Sequence, residues 1–161
     1  MPESAGEAAT EGDVYAAFGL AAFRAVEVER VLVAFLESVM PSGRFRYMPS
    51  GEQAPQIPTL GQMASDVRVA GGSANLRLLL EGLTNQRNAL FHHFFWERAV
   101  EFLTPDGRTL MVEELVEVAR QFEAATRDLP SILLEWAADT RRILPIDAAL
   151  RQLMDRWGSP V

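Results

Sequence analysis

The sequence predicts an all-α protein: a bundle of four or five helices, with a long loop after the first helix and an added helix at the C-terminus. Three observations predict it. Apolar residues recur at spacings of three and four, rather than two, along most of the chain. No stretch alternates apolar and polar residues as a half-buried strand requires. Prolines and glycines gather at a few places and leave long uninterrupted segments between them.

Residues 1–13 carry Glu3, Glu7, Glu11 and Asp13 with no basic residue, and read as a disordered, solvated acidic lead-in. A secretion signal needs the opposite pattern, a basic start followed by an apolar run. Over residues 14–40, Phe18, Ala22, Val26, Val28, Leu32, Phe35 and Leu36 mark a helical face, which Pro41, Ser42 and Gly43 end. Pro49, Gly51, Pro55 and Pro58 make residues 44–58 a loop of about fifteen residues, a length uncommon in compact domains. Thr59 is placed to cap a short helix through Ala70, which Gly71-Gly72 terminates. Ser73 then opens a periodic stretch to about Leu103 with no proline and one glycine, Gly82. Pro105-Asp106-Gly107 reads as a turn, and Thr109 as the cap of a helix that runs past Asp128 and carries Glu113, Glu114, Glu117 and Glu123. Pro130 marks a kink or a boundary. A last amphipathic segment, residues 146–157, follows Pro145. One pattern runs throughout, so residues 14–161 are expected to form a single domain.

Composition narrows the chemistry. The 161 residues include 22 acidic and 15 basic side chains, for a net charge of −7. Every basic residue is arginine, and there is neither lysine nor cysteine. Thiol nucleophiles, thiolate metal sites, disulfides and Schiff-base or P-loop lysines are excluded together. The acidity opposes nonspecific coating of nucleic acid or anionic membrane, and implies a substrate captured at short range. No run approaches the ~18 apolar residues of a membrane span. A chain that is 48% hydrophobic is expected to be globular, soluble and cytoplasmic, with no membrane partner.

One segment holds candidate chemistry. On a helical wheel at about 100° per residue, Leu76, Leu80, Leu83, Leu90, Phe91 and Phe94 fall within roughly 60° of Arg87. The arginine therefore sits in the middle of an apolar face, where an unpaired guanidinium costs several kcal/mol. Thr84 lies at about +60°, Asn88 at about +100° and His92 at about +140° from Arg87, with His93 at about −120°. Arg87, Asn88 and His92 form a polar edge on one side of the apolar stripe. His92 and His93 point about 100° apart, so they are ill placed to chelate one metal. No Glu-x-x-His pair of the di-iron carboxylate type occurs, which counts against a dimetal bundle. The plain structural alternative is a core arginine neutralised by Glu27 or Glu29 of the first helix, with His92 an edge residue without chemical duty. His93 and Glu97 share an i, i+4 spacing suited to a surface contact.

Arg87-Asn88-Ala89-Leu90-Phe91-His92 resembles the Arg-polar-x(3)-His signature of the HEPN superfamily, all-helical domains that include metal-independent ribonucleases. The motif stands late in a long helical stretch, between a helical hairpin and an acidic amphipathic helix. The first helix, with Gly19 and Glu29, is similar to the family's opening helix. The resemblance covers residues 14–129, which leaves 130–161 as a C-terminal helical extension.

The resemblance implies a homodimer in which the Arg and His of both protomers converge on one composite site. His92 would act as general base or acid at the ribose 2′-hydroxyl or the leaving oxygen, since imidazole titrates near working pH. Arg87 would stabilise the transferring phosphate, and Asn88 would orient phosphate or histidine. His93, Thr84 and Glu29 would support the site, with no metal or other cofactor. RNA is then the expected substrate, and an antitoxin or neutralising protein the expected partner, as in toxin and defence systems. In the branch controlled by a nucleotidyltransferase the motif continues His-x-Tyr. Phe94 occupies that position here, so control by modification of the tyrosine is not expected. The competing reading is a noncatalytic helical dimer that binds a partner protein or nucleotide.

Overall fold

In the computed structural model, which describes residues 8–39 and 58–139, a reciprocal cap starts the first helix, α1 (Glu11–Val39). The Asp13 carboxylate accepts from the Thr10 backbone N–H at 2.8 Å and from its hydroxyl at 2.7 Å. The Asp13 N–H in turn donates to the Thr10 hydroxyl at 3.2 Å. Two backbone donors at the helix start are satisfied in this way. The hydrogen bonds from Thr10 hold the Asp13 carboxyl below its ordinary value of 3.8. The helix thus starts at Glu11 rather than Val14, and Glu11 and Asp13 form its first turn. Residues 1–7, the expected loop up to residue 57 and the expected amphipathic segment 146–157 lie outside the described residues.

Helix α2 (Leu60–Val69) carries the expected cap in full: Gln62 N–H donates to the Thr59 hydroxyl, and Thr59 N–H to the Gln62 side chain. It ends in a Schellman motif. Gly72 N–H donates to Val67 O at 2.9 Å and Gly71 N–H to Arg68 O at 3.2 Å, with Gly71 at φ +83°. That left-handed position favours glycine. Ser73 caps α3 (Ala74–Asn88) by accepting from Leu76 N–H at 3.3 Å.

The expected single helix to Leu103 is interrupted. A π-turn, Ala89–His93, separates α3 from the short α4 (Phe94–Glu97), and a 3₁₀ turn, Glu101–Leu103, follows. The next long helix, α5 (Pro105–Asp139), begins earlier than Thr109. Thr104 is its cap, accepting from Gly107 N–H at 3.1 Å, and Pro105 takes the first helical position, where its missing N–H leaves nothing unsatisfied. Pro-Asp-Gly is turn chemistry in isolation, yet here it forms the first turn of a helix. Gly107 is buried against the preceding 3₁₀ turn, and a Cβ on it would lie 2.6 Å from the Glu101 Cα. Thr109 sits inside the helix, where its hydroxyl donates to Pro105 O and accepts from Ala9 N–H, each at 3.2 Å.

Helix α5 also runs through Pro130 to Asp139, so Pro130 is not a boundary. Proline leaves the Thr126 carbonyl without its helical donor. Burial of Leu129, Leu133, Trp136 and Ala137 around it outweighs that loss. Residues 130–139 continue α5 and add Leu133, Trp136 and Ala137 to the core. The Trp136 indole N–H donates to Gly71 O at 3.2 Å and so pins this end of α5 to the α2–α3 turn.

Helices α1 and α5 form the main interface. Ala9 meets Thr109 and Arg108, Arg24 meets Glu123, and Phe35 meets Trp136, so the sequence offset barely changes along the pair. The two helices run parallel. Segment α3–α4 returns antiparallel to α1, with Arg87 against Glu29, Phe91 against Phe18 and Phe95 against Tyr15.

The buried stripe of α1 is Val14, Ala17, Ala21, Ala25, Val28, Leu32 and Leu36. Val28, Leu32, Phe35 and Leu36 of the expected face are buried, but its first half is rotated: Phe18 and Ala22 are half-buried and Val26 is exposed. Alanines line the seam because α5 approaches closely there, a feature that side-chain bulk does not advertise. Facing them are Met111, Leu115, Ala119, Phe122, Leu129 and Leu133. Burying a side chain such as Phe122 or Leu115 contributes about 1.5–3 kcal/mol. The described residues contain no strand and no helix long and apolar enough to cross a membrane.

Candidate functional site

The π-turn governs the geometry around Arg87. Its closing bond runs from Phe94 N–H to Ala89 O, one residue longer than an α-helical bond. Residues five apart are thereby drawn onto one face. In a plain α-helix Arg87 and His92 would stand about 140° apart. Here Arg87 Nη1 lies 3.5 Å from His92 Nε2. The expected separation of the two side chains is corrected by the turn between them. An arginine N–H can donate to that nitrogen only when it carries no proton.

The guanidinium is held from two further sides. Its Nε lies 3.3 Å from Glu29 Oε1, and its carbon lies 4.7 Å from the centroid of the Phe91 ring. The Glu29 contact is an ion pair without hydrogen-bond alignment, because Arg87 Nε is buried and makes no hydrogen bond. Side-chain exposures of 24% for Arg87 and 18% for Glu29 place the pair at the edge of the core. Of the two carboxylates weighed as neutralising partners, Glu29 fills the role. Glu27 instead accepts from Arg24 at 2.7 Å. The charge on the apolar face of α3 is therefore answered within the chain.

The remaining candidates divide by where the backbone puts them. His92 and His93 are both exposed, with ring centroids 6.4 Å apart and edge to face. His93 has φ −122° and ψ −27°, outside helical values, at the point where the π-turn gives way to α4. Asn88 is exposed, and its side chain makes no hydrogen bond among the described residues. Thr84 is drawn into its own helix: its hydroxyl donates to Leu80 O at 2.7 Å, and its methyl faces Gly61 of α2. The structure thus gathers Arg87, His92, Glu29 and Phe91, sets Asn88 and His93 on the rim, and turns Thr84 away.

The helical wheel assigns Phe91 only to the apolar face, yet it is 38% exposed and carries the guanidinium on its ring. Its position four residues after Arg87 is the sequence signal for that contact. Behind it, Phe18 contacts Phe91, Phe94 and Phe95 at centroid distances of 5.0–6.3 Å and so backs the π-turn with packed rings. Arg98, just past α4, donates two hydrogen bonds of 3.0 Å to Glu114 and fastens this segment to α5. Among the described residues, no three His, Cys, Asp or Glu side chains are grouped so as to hold a metal ion.

Chemically, the cluster offers a fixed cation beside an exposed imidazole. Arg87 Nη1 faces His92 while Nε faces Glu29, an arrangement that lets guanidinium and imidazole meet one anionic group side by side. No protein-family model, curated protein or solved structure matches the chain.

Proposed function

We propose that the chain is a HEPN-like endoribonuclease of toxin or defence type, working in the cytoplasm through Arg87 and His92. The observation that carries the reading is the 3.5 Å approach of Arg87 Nη1 to His92 Nε2 across a surface π-turn. π-Turns inside α-helices cost stability and occur frequently at functional sites. His92 removes the proton from a ribose 2′-hydroxyl, or donates one to the leaving 5′-oxygen, as the 2′-oxygen bonds to phosphorus and the P–O5′ bond breaks. Arg87 neutralises charge on the phosphoryl oxygens, and Asn88 at the rim hydrogen-bonds phosphate or imidazole. Two protomers, meeting through the α3–α4 segment, bring two such pairs together, and an antitoxin or neutralising protein covers the site. Purified chain should be a dimer by light scattering. It should cleave unstructured RNA in excess EDTA and lose that activity in both Arg87→Ala and His92→Ala. A monomer removes the composite site, and unchanged cleavage in either folded variant removes the mechanism.

A second reading draws on the ion pair between Arg87 and Glu29. In it Arg87 is structural, and the chain is a noncatalytic helical dimer that binds a partner protein or nucleotide. Growth arrest on induced expression, relieved by Arg87→Ala or His92→Ala, separates the readings without a known substrate. Arrest that persists in both variants favours the second.

A further inference from the structure

Trp96 is 85% exposed, the most water-exposed of the large apolar side chains among the described residues. It lies four residues after His92, one turn further along the same segment, and on α4 rather than on a loop. The aromatic side chains around it are engaged. Tyr15, Phe95 and Phe102 pack on one another at 5.7–6.1 Å, and the Phe91 ring is occupied by the Arg87 guanidinium. Trp96 makes no ring contact among the described residues, so its indole faces remain open in the protomer, one turn beyond His92. Arg98, two residues on, is engaged with Glu114 and ties the backbone that carries Trp96 to α5.

Resting on the nuclease reading above, we infer that Trp96 is a base-stacking residue, holding the nucleobase next to the phosphate that Arg87 and His92 address. Every base presents a π-face, so an aromatic surface selects unpaired nucleotides with little regard to sequence. A duplex keeps its bases stacked and offers none. The substrate class is therefore single-stranded RNA, or a loop or bulge with a splayed base. This also suits an acidic protein. With a net charge of −7, long-range attraction to phosphate is unfavourable, and short-range stacking supplies affinity that does not depend on it.

The test uses the full chain and a short single-stranded RNA methylated at every 2′-oxygen, which binds but lacks the nucleophile for cleavage. Wild-type protein should quench its tryptophan fluorescence on titration, and Trp96→Leu should lose the quenching and bind about tenfold more weakly. Trp96→Phe should recover most of the affinity. The same RNA annealed into a duplex should bind no better to wild type than to Trp96→Leu. Equal affinity of wild type and Trp96→Leu for the single strand overturns the inference. So does a shift to smaller mass in Trp96→Leu with RNA affinity unchanged, which would make Trp96 a protein contact. Trp96-dependent binding without cleavage of unmethylated RNA leaves the stacking role standing and removes the nuclease reading. Cleavage that depends on His92, with binding indifferent to Trp96, does the reverse.

Discussion

Arg87 Nη1 stands 3.5 Å from His92 Nε2, and the contact exists because the helix between them is wound as a π-turn. The same guanidinium meets Glu29 at 3.3 Å through Nε. One side chain is thus shared between a carboxylate of α1 and an imidazole of its own segment. The balance between those two partners is measurable.

Glu29→Gln removes the countercharge of a largely buried guanidinium. It should destabilise the fold by about 1–3 kcal/mol, between the values for exposed and buried pairs. A double-mutant cycle with Arg87→Ala, followed by urea denaturation, should give a coupling of about 1–2 kcal/mol. Additive effects would show that the ion pair contributes nothing.

The α1–α5 seam is built on small side chains, so enlarging one should be worse than trimming a neighbour. Ala21 is fully buried in that seam. Ala21→Leu should lower stability by about 1–3 kcal/mol through overpacking, while Ala22→Leu, on a half-buried position beside it, should change little. Thermal denaturation of the two variants compares them, and equal melting temperatures would refute the close approach.

Gly107 is required by proximity rather than by backbone conformation. A methyl there would lie 2.6 Å from the Glu101 Cα, so Gly107→Ala must displace the 3₁₀ turn or the start of α5. We expect a loss of about 2 kcal/mol or more, although alanine has the higher helix propensity. A gain in melting temperature would contradict the placement of that turn.

The Thr10–Asp13 cap gives α1 an acid-sensitive start. The folded carboxyl is held below its ordinary value of 3.8, so its contribution is complete above that value and disappears as pH falls through the lower folded value. Asp13→Asn should flatten this part of the stability profile at acid pH while leaving the neutral range otherwise similar in shape. Hydrogen exchange at Val14 and Tyr15 reads it locally, and an identical acid limb in the variant would count against the cap.

The helical class, the cap at Thr59, the Gly71-Gly72 stop and the need of Arg87 for a carboxylate of α1 were legible in the sequence because each has a chemical signature. The π-turn was not. Ala89 to His93 carry no glycine or proline, and the insertion is set by how Leu90 and Phe94 both reach the core while Phe91 meets Phe18. The start of α5 was misplaced for a related reason. Pro-Asp-Gly signals a turn locally, and only the packing of Gly107 on Glu101 makes it a helix start. Likewise the alanine seam of α1 is invisible to a search for bulk, because its value depends on how near α5 comes.

The parallel pairing of α1 with α5 has a consequence for how the chain is made. Its largest interface joins residues about one hundred positions apart, a far longer range than the neighbour-to-neighbour packing of an up-and-down bundle. Refolding should accordingly be slower than for an up-and-down bundle of similar length. On a ribosome adding about 5–20 residues per second, the alanine stripe of α1 waits roughly 5–20 seconds for its cover. During that interval Val14, Val28, Leu32 and Leu36 are open to chaperones, to misassembly, and to any partner that arrives before α5 does.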